Sequence, residues 1–240
     1  MQKSNIIYCL SLPIGPKSLN ELDSTKNKEQ ISAIKFWITE NAKTLRRYIS
    51  SLKLGVRIDD LTIVEWNKHG EQTEIYSFLK ETLQNHDLGL VSDAGMPGIA
   101  DPGALAVAWA HANDYRVIPV VGVSSLFMAL CASGLNGQSF KFNGYLPVGN
   151  QDLKKKLAAM VADVKRDNTA QLFIETPYRN KKLFDEILSQ VLGSISLTIA
   201  FDIHGNDEFI KTKTLKEWKK NQPNWVKAPC VFILGNQLQR

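Results

Sequence analysis

Val91-Ser92-Asp93-Ala94-Gly95-Met96-Pro97-Gly98-Ile99-Ala100-Asp101-Pro102-Gly103 decides the reading of this chain. It follows an apolar run, Leu88–Val91, and precedes a stretch with helical periodicity. From Asp93 to Gly103 it packs three glycines, two prolines and two aspartates into eleven residues. Prolines fix the backbone and glycines open conformations closed to other residues, so this composition describes a rigid loop that a ligand can approach closely. A loop at the carboxyl end of a strand is where open α/β sheets bind ligands. The alternative is a tight structural turn. At its far end, Asp101-Pro102 places a capping acceptor before a proline at the first helical position.

Outward from this loop, short β-branched runs alternate with amphipathic stretches. The expected strands are 6–12, 35–38, 61–65, 88–92, 117–121, 140–145, 170–174, 196–201 and 230–234. The expected helices lie near 41–53, 72–85, 102–113, 124–133, 151–163, 177–191 and 214–221. Such alternation predicts α/β layers with a largely parallel sheet in the first half. A boundary near Val120–Gly122 divides the chain into α/β domains at 1–120 and 121–240; the turn Gly134–Ser139 is the other candidate. Thr176-Pro177 repeats the Asp101-Pro102 arrangement and predicts a helix start, and Ser124 can cap the helix that follows it. That helix, Ser125–Ser133, is apolar nearly all round and reads as a buried packing element.

The 240 residues carry a net charge of +5, and the basic excess lies in residues 121–240. Basicity at this level permits a nucleic-acid partner without requiring one. No apolar run reaches the roughly 18 residues of a membrane span. The N-terminus reads as a strand rather than a signal peptide, which predicts a cytoplasmic protein. Cys9, Cys131 and Cys230 are scattered and read as buried small hydrophobes in a reducing compartment. The histidines cluster with nothing, so no metal site is expected. There is no G-x-G-x-x-G after the first strand, no G-x-x-x-x-G-K-[ST] and no G-x-S-x-G. These absences disfavour Rossmann dinucleotide, P-loop and hydrolase-elbow chemistry.

The run Val91–Gly103 resembles the S-D-A-G-x-P-x-I-x-D-P-G loop of the tetrapyrrole methylase superfamily, in the branch of the 16S ribosomal RNA cytidine 2′-O-methyltransferase I family. Other segments follow in order. Leu12-Pro13-Ile14-Gly15 is similar to T-P-I-G, and Pro119-Val120-Val121-Gly122-Val123-Ser124-Ser125 to P-x-P-G-P-S-A. Ser133-Gly134-Leu135 is similar to A-S-G-L, Phe142-Asn143-Gly144-Tyr145-Leu146-Pro147 to F-x-G-F-L-P, and Glu175-Thr176-Pro177-Tyr178-Arg179 to E-A-P-H-R. The resemblance runs through essentially the whole chain. It implies a two-domain α/β protein, each domain a mixed sheet flanked by helices, that binds S-adenosyl-L-methionine in a cleft between the domains and works as a homodimer. Pro13, Asp93, Ala94, Gly95, Met96, Ile99, Ser124 and Ser125 are the cofactor-facing residues it implies. Glu175, Thr176, Ala200, Phe201, Ala228 and Pro229 join them from the second half.

The departures fall away from the central loop. An acidic-Asp-Thr-Arg stretch is here Glu40-Asn41-Ala42-Lys43, a His-rich segment is Glu65-Trp66-Asn67-Lys68-His69-Gly70, and an A-R-E is Ala200-Phe201-Asp202. Glu40, Lys43 and His69 are the candidates for assisting proton loss from an acceptor hydroxyl. Helix 41–53 can be read on its own. Leu45, Tyr48, Ile49 and Leu52 form one apolar stripe, and Lys43, Arg46, Arg47 and Lys53 lie off it. No acidic residue occurs between Asn41 and Ile58. Lys43, Arg46 and Arg47 are therefore candidates for RNA phosphates, the other reading being a solvated helix face. The expected activity is methyl transfer to ribosomal RNA, at a ribose 2′-hydroxyl, with RNA or a ribosomal subunit as partner. The alternatives are a tetrapyrrole or other small-molecule acceptor, and a non-catalytic RNA-binding protein that keeps the fold.

Overall fold

A computed structural model describes residues 4–13, 25–66, 72–101, 103–191 and 194–237. Its contacts divide the chain into two compact units, Met1–Ser124 and Ser125–Arg240.

The first unit holds five strands: β1 (Ile6–Leu10), β2 (Phe36–Thr39), β3 (Thr62–Glu65), β4 (Leu88–Val91) and β5 (Arg116–Pro119). They pair in the order β3-β2-β4-β1-β5, every pairing parallel. Helices α1 (Thr25–Ala33) and α2 (Ala42–Ser51) cover one face, and α3 (Gln72–Thr82) and α4 (Gly103–Ala112) the other. Parallel strands with both faces covered must be apolar on both sides, and all four residues of β4 are buried. Trp37, fully buried on β2, lies against Gly89 of β4, where an added Cβ would fall within the indole ring. On α2 the stripe holds: Leu45, Tyr48 and Ile49 are buried while Lys43, Arg46 and Arg47 are exposed. Burial pushes the Tyr48 phenol up to about 12, as expected of a core residue.

The second unit holds α5 (Ser125–Ser133), β6 (Phe140–Tyr145), α6 (Asn150–Asp167), β7 (Ala170–Glu175), α7 (Asn180–Gln190), β8 (Ser196–Phe201), β9 (Phe209–Thr214), α8 (Leu215–Lys220) and β10 (Cys230–Gly235). The sheet order is β6-β7-β10-β8-β9; β6 and β7 are parallel and the other pairings antiparallel. Its larger core, between the sheet and α6–α8, is aromatic. Phe173 stacks on Phe232 with ring centroids 5.4 Å apart, and Phe184 meets Trp218 edge-on at 5.9 Å. The Trp218 indole N–H donates to the Leu197 carbonyl at 2.8 Å, which satisfies its one buried polar atom.

Several expectations need correction. Helix α5 is buried on one face only: Leu126, Ala129 and Leu130 are buried, while Phe127 is 51% exposed and meets Phe140 edge-on. Cys131, on the outer face, is exposed rather than buried; Cys9 is half-buried and Cys230 buried. Thr176-Pro177 opens a turn, closed by the Arg179 N–H on the Thr176 carbonyl at 2.9 Å, and α7 begins only at Asn180. Helix α6 continues to Asp167 because Arg166 pairs with Asp163 and Asp167 across its polar last turn, and Asn168 in the left-handed region ends it. Helix α1 and strand β9 were not expected at all.

Candidate functional site

In a parallel sheet every strand delivers its carboxyl end to the same edge. In the first unit that edge gathers the segments after β1, β2, β3, β4 and β5. β1 and β4 are neighbours, and their following loops are joined by two backbone hydrogen bonds, Leu12 N–H to Gly95 O and Gly95 N–H to Leu12 O, both 2.9 Å. The Ser11 hydroxyl donates to the Val123 carbonyl at 2.6 Å, which ties in the segment after β5. The buried Ser92 hydroxyl lies 3.2 Å from the carbonyls of Ala94 and Gly95 and fixes the exit of β4.

The loop after β4 turns three times through left-handed conformations, at Gly95 (φ 77°), Gly98 (82°) and Ala100 (69°). Met96-Pro97-Gly98-Ile99 has the signature of a type II turn: proline second, a positive-φ glycine third, and the Ile99 N–H on the Met96 carbonyl at 3.4 Å. A Cβ on Gly95 would meet nothing within 4 Å, so conformation rather than packing calls for glycine there. Ala100 carries the same backbone strain without being glycine, a pattern concentrated at ligand sites. One Asp101 carboxylate oxygen then accepts from the N–H groups of Gly98 (2.7 Å) and Gly103 (2.8 Å). It thus caps α4 as expected and braces the turn at the same time; Pro102 lies outside the described residues.

The start of α2 comes to the same edge. Asn41 caps the helix with its side-chain oxygen on the N–H groups of Lys43 (2.9 Å) and Thr44 (3.2 Å). Glu65, at the end of β3, accepts from the Ala42 N–H at 2.6 Å. The Thr44 hydroxyl hydrogen-bonds the Asp93 carboxylate. Partial burial pushes the Asp93 carboxyl above its ordinary range, the Thr44 hydrogen bond pulls it back, and the neighbouring Glu65 charge adds to the rise.

The expected residues Asp93–Met96, Ile99, Pro13 and Ser124 therefore share one sheet edge, with Glu40 at the bend after β2 and Lys43 on the first turn of α2. Ser124 is buried as the last residue of the first unit, and Ser125 opens α5 in the second. His69, Ile14 and Gly15 lie outside the described residues. Thr44 and Glu65, which join the Asp93 cluster, were not singled out from sequence.

The second unit has its own assembly. Glu175 at the carboxyl end of β7 is buried; one oxygen accepts the Thr176 N–H at 2.7 Å and the other lies 3.0 Å from the Arg179 guanidinium. The Asn180 amide donates to the Ala228 carbonyl at 2.8 Å. Because β10 runs antiparallel to both β7 and β8, Glu175, Phe201 and Cys230 lie in register, which brings the segments 175–176 and 228–229 together. Thr176 and Pro229 are exposed there. The side chains of Ala200, Phe201 and Ala228 are core instead, with Phe201 stacked on Phe209 at 5.0 Å. Among the described residues, no group of three or more His, Cys, Asp or Glu could hold a metal ion.

No protein-family model matches the chain. It is 28% identical over 237 residues to a ribosomal RNA small subunit methyltransferase I from Halalkalibacterium halodurans, covering 96% of this chain and 76% of that protein. It is 25% identical over 234 residues to the Haemophilus influenzae protein of the same name, covering 96% and 78%. Among solved structures it is similar to the methyltransferase CobJ, with a TM-score of 0.62 at 15% identity over 99% of this chain and 96% of that one. It is also similar to uroporphyrin III C-methyltransferase from Thermus thermophilus, with a TM-score of 0.57 at 16% identity over 97% and 98%. At such identities the structural likeness is one of fold.

Proposed function

We infer, from the premise that this chain belongs to the tetrapyrrole methylase superfamily and is a methyltransferase related to the small-subunit methyltransferase I proteins, that it methylates ribosomal RNA at a ribose 2′-hydroxyl with S-adenosylmethionine as donor. The observation that carries the reading is the β4 loop, hydrogen-bonded to the segment after β1, bent through left-handed conformations at three residues and braced by Asp101.

These residues fit the cofactor. The turned backbone offers N–H and carbonyl groups at close range, Asp93 accepts from an amine or hydroxyl, and Met96 and Ile99 supply apolar surface. Pro13 and Ser124 border the loop; within the second unit, Glu175 and Thr176 are candidates at the carboxyl end of β7. Bound there, the cofactor supplies a methyl group on a sulfonium, an activated leaving group. The chain's own work is then positioning and exclusion of water. Its residues would hold an acceptor hydroxyl in line with that methyl group and take up its proton. Of the three candidates for such a base, Glu40 and Lys43 stand at the sheet edge of the loop, and His69 lies outside the described residues. The two contact units serve as its two domains.

The acceptor reading rests on α2. Lys43, Arg46 and Arg47 are all exposed, with their helix held by its opposite, apolar stripe. A tetrapyrrole acceptor is the second reading, favoured by the fold likeness to CobJ and the uroporphyrin enzyme. We place the protein in the cytoplasm as a homodimer; no helix among the described residues is long and apolar enough to cross a membrane. Incubation with labelled S-adenosylmethionine and, in parallel, small ribosomal subunits, free RNA or a tetrapyrrole tests the reading: label is expected in RNA alone. Label in the tetrapyrrole favours the second reading, and label in neither favours a non-catalytic binder. Converting Lys43, Arg46 and Arg47 to Gln should flatten the slope of log affinity against log salt by up to about 2, at about 0.7 per phosphate contact to a single strand.

A further inference from the structure

One edge of the second sheet displays side chains that neither the core nor the cofactor loop accounts for. Strands β6 and β7 are parallel neighbours, with Tyr145 opposite Ile174, so the segments leaving them emerge together. Tyr145 is 52% exposed there, and Tyr178, in the turn between β7 and α7, is 82% exposed. An exposed tyrosine ring offers a flat face on which a planar ligand can stack. Lys227, from the segment before β10, holds its ammonium 5.4 Å from the Tyr178 ring centroid. An open groove of about 600 Å³ runs from Tyr178 along α7 past Lys181 and Lys182 to Asp185, Glu186 and Ser189. Asp185 is paired with Lys181 at 2.6 Å, and Lys182 lines the same groove as Tyr178.

Exposed aromatic faces beside cations match the chemistry of single-stranded nucleic acid, whose bases stack on rings while its phosphates find the charges. We propose that Tyr178, with Lys227 over its ring and Lys182 lining the same groove, is a stacking platform for an unpaired nucleotide of the RNA substrate. This rests on the RNA reading above and adds to it a second contact surface, on the opposite unit from α2. Stacking tolerates any base, so the platform anchors the strand and does not choose the nucleotide.

The test uses the full chain, a short fluorescent single-stranded RNA, and calorimetry with S-adenosylmethionine. Tyr178→Ala should weaken RNA binding by about 5- to 100-fold, the range that loss of one base–aromatic stack produces. Tyr178→Phe should retain wild-type affinity, because the face stacks and the hydroxyl is not needed. Lys182→Gln with Lys227→Gln should flatten the salt slope by about 1.4. Melting temperature and S-adenosylmethionine affinity should stay at wild-type values in all three. Wild-type RNA affinity in Tyr178→Ala overturns the platform while leaving the RNA reading intact. A loss of S-adenosylmethionine affinity instead makes the ring a cofactor contact and also overturns it. Absence of RNA binding by the unmutated protein brings down the RNA reading itself, before any variant is compared.

Discussion

The two sheet edges are built in different ways. In the first unit, the loop after β4 offers backbone, bent through left-handed conformations at Gly95, Gly98 and Ala100 and braced by the Asp101 carboxylate. In the second, exposed side chains stand out: Tyr145 at the end of β6, Tyr178 in the turn before α7, and Lys227 ahead of β10. Backbone presentation demands particular residues, because only glycine adopts positive φ without cost and only proline pre-sets its partner. Side-chain presentation demands almost nothing of the chain around it. The cores beneath differ too. In the larger core of the second unit Phe173 stacks on Phe232, whereas in the first unit the buried Trp37 is fitted over Gly89.

The largest effect should come from the aromatic core. Phe173 is fully buried, stacked on Phe232, and central to the packing beneath the Tyr178 edge. Phe173→Ala should cost about 3–5 kcal/mol, measured by denaturant unfolding. A cost below about 1 kcal/mol would mean that this core repacks freely and does not hold the second sheet edge in one shape.

The same contrast sets what could be read from the residues. The β4 loop was legible because its punctuation is unusual in composition, and α2 because Leu45, Tyr48 and Ile49 keep a strict helical spacing on a short segment. Helix α1 was not, since only Asn27 and Ile31 of its described side chains are buried; it is held in part by the Asn27 amide on the Val121 carbonyl, 94 residues away. Strand β9 was missed because it pairs with β8 alone, along one edge, and its lysines at 211 and 213 break the apolar signal. Glu65 and Thr44 meet Asp93 only because parallel pairing brings three carboxyl ends to one side, and no spacing along the chain encodes that. Tyr178 fell within a recognised segment, but its exposure depends on the turn that delays α7 to Asn180.

A substitution at Gly98 isolates the backbone side of the comparison. Its φ of 82° is closed to β-branched residues, and an added Cβ would sit 3.4 Å from the Ala104 backbone nitrogen. Gly98→Val must either strain the turn, at about 1–3 kcal/mol, or rearrange it. The expected result is a folded protein whose S-adenosylmethionine affinity, read by calorimetry, falls on the order of ten-fold, the equivalent of about 1.4 kcal/mol. Unchanged affinity in a folded Gly98→Val protein would remove the loop's shape from the binding account.

The smallest effect sharpens the account at Asp93, where the loop meets α2. Partial burial raises this carboxyl above its ordinary range, Glu65 adds to the rise, and the Thr44 hydroxyl opposes it without cancelling it. A carboxyl whose folded pKa is raised favours the fold fully below its unfolded pKa, and that contribution is lost as the pH climbs through the folded value. At neutral pH an ionised Asp93 is therefore a slight liability to the fold. Asp93→Asn keeps the shape and a polar partner for Thr44 but removes the charge. Its melting temperature should exceed that of the unmutated protein slightly at pH 7. The gap should close as the pH falls through the carboxylate range, where both side chains are neutral. S-adenosylmethionine affinity should fall at the same time, because the amide no longer offers a negative charge to a ligand amine. A variant that melts lower at pH 7 would mean that the Thr44 hydrogen bond to the carboxylate outweighs its desolvation. Asp93 would then be a structural brace like Asp101, and the ligand-facing role would pass to the backbone alone.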